Sequence, residues 1–99
     1  MKTQIYIYLD DLRQPPQGKN VLLARTYKDA VGLVQWLDKD KIELYLDLDH
    51  DLGTKKTGYD FCKYLIENGW KGYFHCHSAN PVGVGNMRQL LTHYDWIEY

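Results

Sequence analysis

The sequence predicts an α/β protein with an open, mostly parallel five-stranded sheet and about three helices. Two observations support this fold class. Short runs rich in β-branched and aromatic residues alternate along the chain with segments whose apolar residues recur at helical spacing. The strand-like runs also end in polar or acidic residues, whereas the helical segments begin with capping residues. Such alternation is typical of a sheet covered by helices, in which ligands bind beyond the carboxyl ends of the strands.

The strands are predicted from composition and from alternation of apolar and polar residues. In the third, Leu44 and Leu46 share one face and Glu43 and Tyr45 share the other. The connection between the first two strands has no helical pattern, so that pair is either parallel through an unusual loop crossover or antiparallel. The five predicted strands are residues 5–9, 21–25, 42–48, 73–77 and 96–98.

Each predicted helix begins at a recognisable cap. Two capping boxes and one Asn-Pro start provide acceptors for the first free amides of a helix. The first helix is predicted to run to about Asp38, and Gly69 is predicted to close the second. The capping pairs are Thr26 with Asp29, Thr57 with Asp60, and Asn80 with Pro81.

Composition limits the possible classes of protein. The chain has 99 residues, 44% of them hydrophobic, which predicts a single domain over residues 1–99 and excludes a disordered linker. Twelve basic and thirteen acidic residues give a net charge of −1, so no duplex DNA partner is expected. The apolar run at residues 5–9 is too short for a membrane span, so no membrane partner is expected. With Cys62 and Cys76 interpreted as reduced thiols, we expect a cytoplasmic protein.

Acidic residues follow two of the predicted strands. Asp10 and Asp11 end the first, and Asp49 and Asp51 end the third. Because strand ends meet at the switch point of a doubly wound sheet, up to four carboxylates converge there. Their mutual repulsion requires a bound cation or raised pKa values, and oxygen ligands suit Mg²⁺ or Mn²⁺. The alternative is that each aspartate only caps a loop.

The segment from residue 77 to residue 83 leads from a strand into the third helix. Ser78, Asn80 and Gly83 lie at its start, where helix amides and the helix dipole favour a phosphate. The alternative is a well-capped helix without a ligand. Arg13 and Arg25 lie near the same edge, where an arginine either binds phosphate or pairs with the carboxylates.

Two histidines are candidates for proton transfer. His50 lies between two aspartates and His77 ends the fourth strand, so both are expected near the acidic edge. Imidazole titrates near neutral pH, which suits a general acid or base. Asp47, one pleat before the third strand's end, is either a further ligand or an exposed strand residue.

Taken together, five motifs resemble the cyclic-phosphate-processing receiver-like domain family. The resemblance runs from about Ile5 to Met87, and five motifs in the family's order are far more specific than any one. They are DDLRQPP at residues 10–16, RT at 25–26, LDHDLG at 48–53, TGYD at 57–60 and HSANPVG at 77–83.

The resemblance implies a receiver-like (flavodoxin-like) fold with a divalent-metal acid pocket, and an activity on cyclic or terminal phosphates of nucleotides or RNA. The implied acidic positions are Asp10, Asp11, Asp49 and Asp51. The other implied motif residues are Arg13, Arg25, His50, His77, Ser78 and Asn80.

Three functions follow as hypotheses. The first is a metal-dependent phosphoesterase acting on a phosphate-bearing nucleotide or RNA end. The second is a protein that binds and sequesters a nucleotide-derived signal, in defence or counter-defence, without cleaving it. The third is a signalling receiver phosphorylated on Asp49. The sequence argues against the third, because such receivers use a lysine after the fourth strand and no lysine follows Lys71.

Overall fold

All strands of the computed structural model, which describes residues 1–18 and 20–99, run parallel in one sheet. The order across the sheet is β2-β1-β3-β4-β5. This confirms the predicted flavodoxin-like, receiver-type α/β fold. The strands are β1 (Thr3–Leu9), β2 (Val21–Ala24), β3 (Ile42–Leu48), β4 (Gly72–Cys76) and β5 (Ile97–Glu98). The helices are α1 (Tyr27–Gln35), α2 (Gly58–Glu67) and α3 (Pro81–His93).

The first two strands are parallel, which answers the question that the sequence left open. Tyr6 pairs with Val21 and Leu9 pairs with Ala24 in the parallel register. No helix is described in the connection between them, in which residue 19 lies outside the described residues. The described part of this connection is a loop, which we call the β1–β2 loop (residues 10–18 and 20).

The three helices pack on one face of the sheet, which differs from the expectation of a sheet covered by helices. From β2 onwards each connection moves across the sheet in the same direction, and right-handed crossovers then place every helix on the same side. A helix between β1 and β2 would occupy the other side, because that connection runs in the opposite direction. Since a loop replaces it, the other face carries no helix among the described residues.

The hydrophobic core lies between the sheet and this single helix layer. The strand residues that point into it alternate with those that point to the opposite face, as the third strand's pattern predicts. The fully buried core side chains include Ile7, Leu9, Leu44, Leu46, Leu48, Phe61, Leu65, Phe74, Met87 and Leu91.

The predicted helix starts are confirmed by the capping hydrogen bonds. The Thr26 hydroxyl accepts from the Asp29 amide at 3.0 Å, and the Asp60 carboxylate accepts from the Thr57 amide at 2.8 Å. Helix α1 ends at Gln35, earlier than the predicted Asp38, because the next amides bond three residues back and tighten the last turn. Among the described residues, no helix has the length and apolarity needed to cross a bilayer.

Helix α2 begins in direct contact with the end of β3. The Gly58 amide donates to the His50 carbonyl at 2.8 Å. A methyl group added at Gly58 would lie 2.1 Å from the Asp49 carbonyl oxygen. Glycine is required at this position because only a residue without a side chain allows this close approach.

Gly58→Ala is expected to destabilise the fold by about 1–3 kcal/mol, because the added methyl group must displace the Asp49 backbone. The free energy of unfolding in urea measures this change. Gly32→Ala is the matched control: Gly32 lies within α1 with no heavy atom near the added methyl group. We expect this second variant to be more stable by about 0.5–1 kcal/mol. Equal effects of the two substitutions would contradict the packing argument.

Candidate metal and phosphate site

The carboxyl ends of β1, β3 and β4 bring three potential ligands together. Asp10, Asp49 and His77 are the first residues after these strands, and their ligand atoms lie within 4.8 Å of one another. The parallel hydrogen bonding continues past the strand ends, since the Asp49 amide donates to Leu9 and the His77 amide donates to Leu48, both at 2.9 Å. Two carboxylates and one imidazole can hold a metal ion.

Asp10 is the buried member of this group, with 1% of its surface exposed. One carboxylate oxygen accepts from the amides of Leu12 and Arg13 at 2.8 and 2.9 Å, and the other lies 2.8 Å from His77 Nε2. Burial alone raises the pKa of Asp10, but the two backbone donors and His77 outweigh it and hold this pKa below its ordinary value. Asp10 is therefore an ionised carboxylate held in one orientation.

His77 is held from both ring nitrogens. Its Nδ1 lies 2.6 Å from an oxygen of Asp47, and its ring stacks on Tyr8 with centroids 4.7 Å apart and planes 2° from parallel. Burial lowers the pKa of His77, but the hydrogen bonds and charges of Asp47 and Asp10 outweigh burial and raise it. A carboxylate on Nδ1 is also the usual partner of a metal-binding histidine, because it orients the ring.

Asp47 is the residue at this site whose role the sequence left unassigned. It lies within β3, on the face opposite the helices, where its neighbours in register are Tyr8 on β1 and His75 on β4. The sequence does contain a signal for the position of Asp47. It alternates with Leu46 and Leu48 along β3, which places it on the face of the sheet opposite the helices.

The remaining predicted acids lie outside the three-residue group. The Asp11 carboxylate is beside Gly53 in the loop between β3 and α2, 3.3 Å from where a side chain on that glycine would begin. Asp51 lies 2.8 Å from His50 Nδ1 and accepts from the Asn80 amide group at 3.2 Å. These hydrogen bonds from His50 and Asn80 lower the pKa of the exposed Asp51 carboxyl. The structure thus divides the four predicted carboxylates, with Asp10 and Asp49 in the group.

The predicted phosphate-binding residues at the start of α3 bond to one another. The Asn80 side chain accepts from the Gly83 amide at 3.0 Å, and the Ser78 hydroxyl accepts from the Asn80 amide at 3.1 Å. A methyl group at Gly83 would lie 2.4 Å from the His50 ring, so glycine lets this ring pack against α3. Within the described residues, these contacts cap the helix and position His50.

The two predicted arginines have different surroundings. Arg25 Nη1 donates to the carbonyls of Asp10 and Arg13 at 3.2 and 2.6 Å, which fastens the β1–β2 loop to the end of β2. Arg13 Nη1 donates to the His77 carbonyl at 3.0 Å and lies 3.9 Å from the Asp10 carboxylate. Half of the Arg13 side chain, 53%, is exposed at the edge of the site. Arg13 is therefore the more exposed of the two predicted arginines.

Comparison with known families supports the resemblance that the motifs indicated. The family model described as Cyclic-phosphate processing Receiver domain matches residues 5–93, and so covers the whole site. No curated protein and no solved structure gives a significant match. The relationship to other proteins therefore rests on the family pattern over most of the chain.

In the metal-free chain, Asp47→Asn is expected to lower the pKa of His77, because it removes one of two carboxylates that stabilise the imidazolium. Imidazole nitrogen chemical shifts followed across pH measure this. The raised pKa of His77 means that its contribution to stability is complete below pH 6.5, the ordinary value, and is lost as the pH rises past the folded-state pKa. Asp40→Asn, in the exposed turn before β3, is the control and should leave the titration of His77 unchanged.

Proposed function

The chain belongs to the cyclic-phosphate processing receiver domain family, and from this premise we propose that it is a divalent-metal-dependent phosphoesterase-type domain. Its proposed substrates are cyclic or terminal phosphates of nucleotides or RNA. The observation that carries the proposal is the meeting of Asp10, Asp49 and His77 at the carboxyl edge of the sheet. This is the edge at which open α/β sheets bind their ligands.

The three ligands fit a divalent ion that accepts both carboxylate oxygen and imidazole nitrogen. Mg²⁺ takes oxygen ligands almost exclusively, whereas imidazole suits transition-metal ions. Two carboxylates with one imidazole therefore fit Mn²⁺ better than Mg²⁺, the other ion that the sequence allowed. A bound divalent ion supplies positive charge against phosphate oxygens and activates water.

The surrounding residues have distinct proposed roles. Asp10, Asp49 and His77 hold the ion, and Asp47 keeps the His77 ring in its binding orientation. The exposed half of Arg13 offers guanidinium donors to a phosphate that approaches this edge.

Proton transfer is assigned to His50 rather than to His77. In the proposed site His77 Nε2, now 2.8 Å from Asp10, would bind the ion in place of that contact, and Nδ1 is held by Asp47 at 2.6 Å, so neither nitrogen is left for the substrate. His50 uses Nδ1 toward Asp51, while its Nε2 has no hydrogen-bond partner among the described residues. A carboxylate on one nitrogen and an open second nitrogen is the arrangement of an oriented general acid or base.

Metal binding is tested with Mn²⁺ alone, by the loss of the free-ion electron paramagnetic resonance signal. We expect Asp49→Asn to abolish saturable binding, because it removes a ligand charge. Asp47→Asn is expected to weaken binding about 10- to 100-fold through the orientation of His77. Asp40→Asn, which makes the same chemical change in an exposed turn, should bind as wild type does. Wild-type affinity in Asp49→Asn would exclude this metal site.

Turnover is tested with 2′,3′-cyclic nucleotides and cyclic oligonucleotides in the presence of Mn²⁺ or Mg²⁺. We expect linear phosphate products on chromatography and their loss when the metal is chelated. His50→Gln is expected to lower the rate about 10²- to 10⁴-fold without changing Mn²⁺ affinity. His93→Gln, in the last turn of α3, is the matched control. Recovery of bound but unchanged nucleotide would contradict hydrolysis and favour sequestration.

A further inference from the structure

A cavity of about 400 Å³ lies on the sheet face that carries no helix among the described residues. Its floor is the β1 side of the sheet and one wall is the β1–β2 loop, so it exists because that connection is not a helix. The volume falls within the range of small-molecule sites in proteins. The lining includes aromatic and apolar side chains and one carboxylate. These residues are Tyr6, Tyr8, Pro16, Val21, Tyr99 and Asp47.

Two side chains that line the cavity also contact His77 of the candidate metal site. Tyr8 lines the cavity and also stacks on the His77 ring at a centroid distance of 4.7 Å. Asp47 lines the cavity and also lies 2.6 Å from His77 Nδ1. A ligand group in the cavity is therefore one side chain away from a group bound at Asp10, Asp49 and His77.

We infer that this cavity binds the base of a nucleotide whose phosphate occupies the candidate metal site. The inference rests on the proposed function, since it assigns the substrate class of the same site. A flat aromatic base suits the lining because base–aromatic stacking contributes about 1–3 kcal/mol for each base. In a nucleotide a single sugar joins base and phosphate, which matches two adjoining compartments.

The tyrosines are held in place by their own neighbours. Tyr6 stacks on Tyr45, and Tyr45 stacks on Tyr73, with ring centroids 4.6 Å apart in both pairs. These rings follow the register of β1, β3 and β4, in which the three residues lie side by side. The Tyr6 ring thus presents a pre-positioned surface to the cavity and loses little conformational freedom on binding.

Asp47 gives the cavity a preference among bases. One of its oxygens is bonded to His77, and the other has no hydrogen-bond partner among the described residues. A carboxylate oxygen accepts hydrogen bonds only, so it favours a base with an exocyclic amino group. Cytosine carries such a group and uracil has a carbonyl in its place. We therefore expect cytosine to bind more tightly than uracil.

The test measures binding of the nucleosides cytidine and uridine by NMR in the presence of a chelator, so that phosphate, metal and turnover do not contribute. We expect nuclear Overhauser contacts between the base protons and the rings of Tyr6 and Tyr8, and a lower dissociation constant for the cytidine ligand. Tyr6→Leu keeps an apolar side chain but removes the stacking ring, and should weaken binding about 5- to 100-fold. Tyr94→Leu, at the exposed end of α3, is the matched control.

The outcomes separate this inference from the proposed function. Equal affinity in Tyr6→Leu and Tyr94→Leu, with no contacts from the base to the tyrosine rings, overturns the cavity assignment even if cyclic phosphates are hydrolysed. Base contacts in the cavity without any hydrolysis of cyclic phosphates support the cavity assignment and contradict only the phosphoesterase proposal. Equal affinity for the two nucleosides overturns the role of Asp47. A circular dichroism spectrum of each variant verifies that it is folded.

Discussion

The burial of one charged side chain, Asp10, is the constraint on which the arrangement of this protein depends. A carboxylate withdrawn from water costs several kcal/mol unless donors replace its hydration. Asp10 obtains them from the amides of Leu12 and Arg13 and from His77. The first two bonds turn the chain sharply at the end of β1. The third connects the end of β1 to the segment after β4, so satisfying one charge assembles the site.

The turn at Asp10 also begins the crossover without a helix, and this has consequences on the far side of the sheet. Right-handed connections place all three helices on one face, and among the connections between strands only the one from β1 to β2 runs in the direction that would place a helix on the other. Arg25 fastens this loop through backbone carbonyls instead. The face that carries no described helix is lined by stacked tyrosines from neighbouring strands, next to the same edge that carries the acids.

The convergence of Asp10 and Asp49 could be predicted because neighbouring parallel strands end at a common edge. The pairing of Asp47 with His77 could not, because it depends on the register of β3 against β4 and on the path of the chain after β4. The phosphate-binding role of Gly83 stays a prediction, and the folded chain adds that its lack of a side chain accommodates the ring of His50. Contacts of that kind depend on packing between separate elements and leave no periodic signal.

Local patterns along the chain predict the order of strands and helices, the helix starts and the acidic strand ends. These features depend on interactions between residues a few positions apart, such as the bond between Thr57 and Asp60. The folded arrangement of the strands sets which acids meet, which histidine joins them and which face of the sheet carries no described helix. Asp10 and His77 are 67 positions apart, and their contact exists only because strand order and connection handedness bring distant segments to one edge.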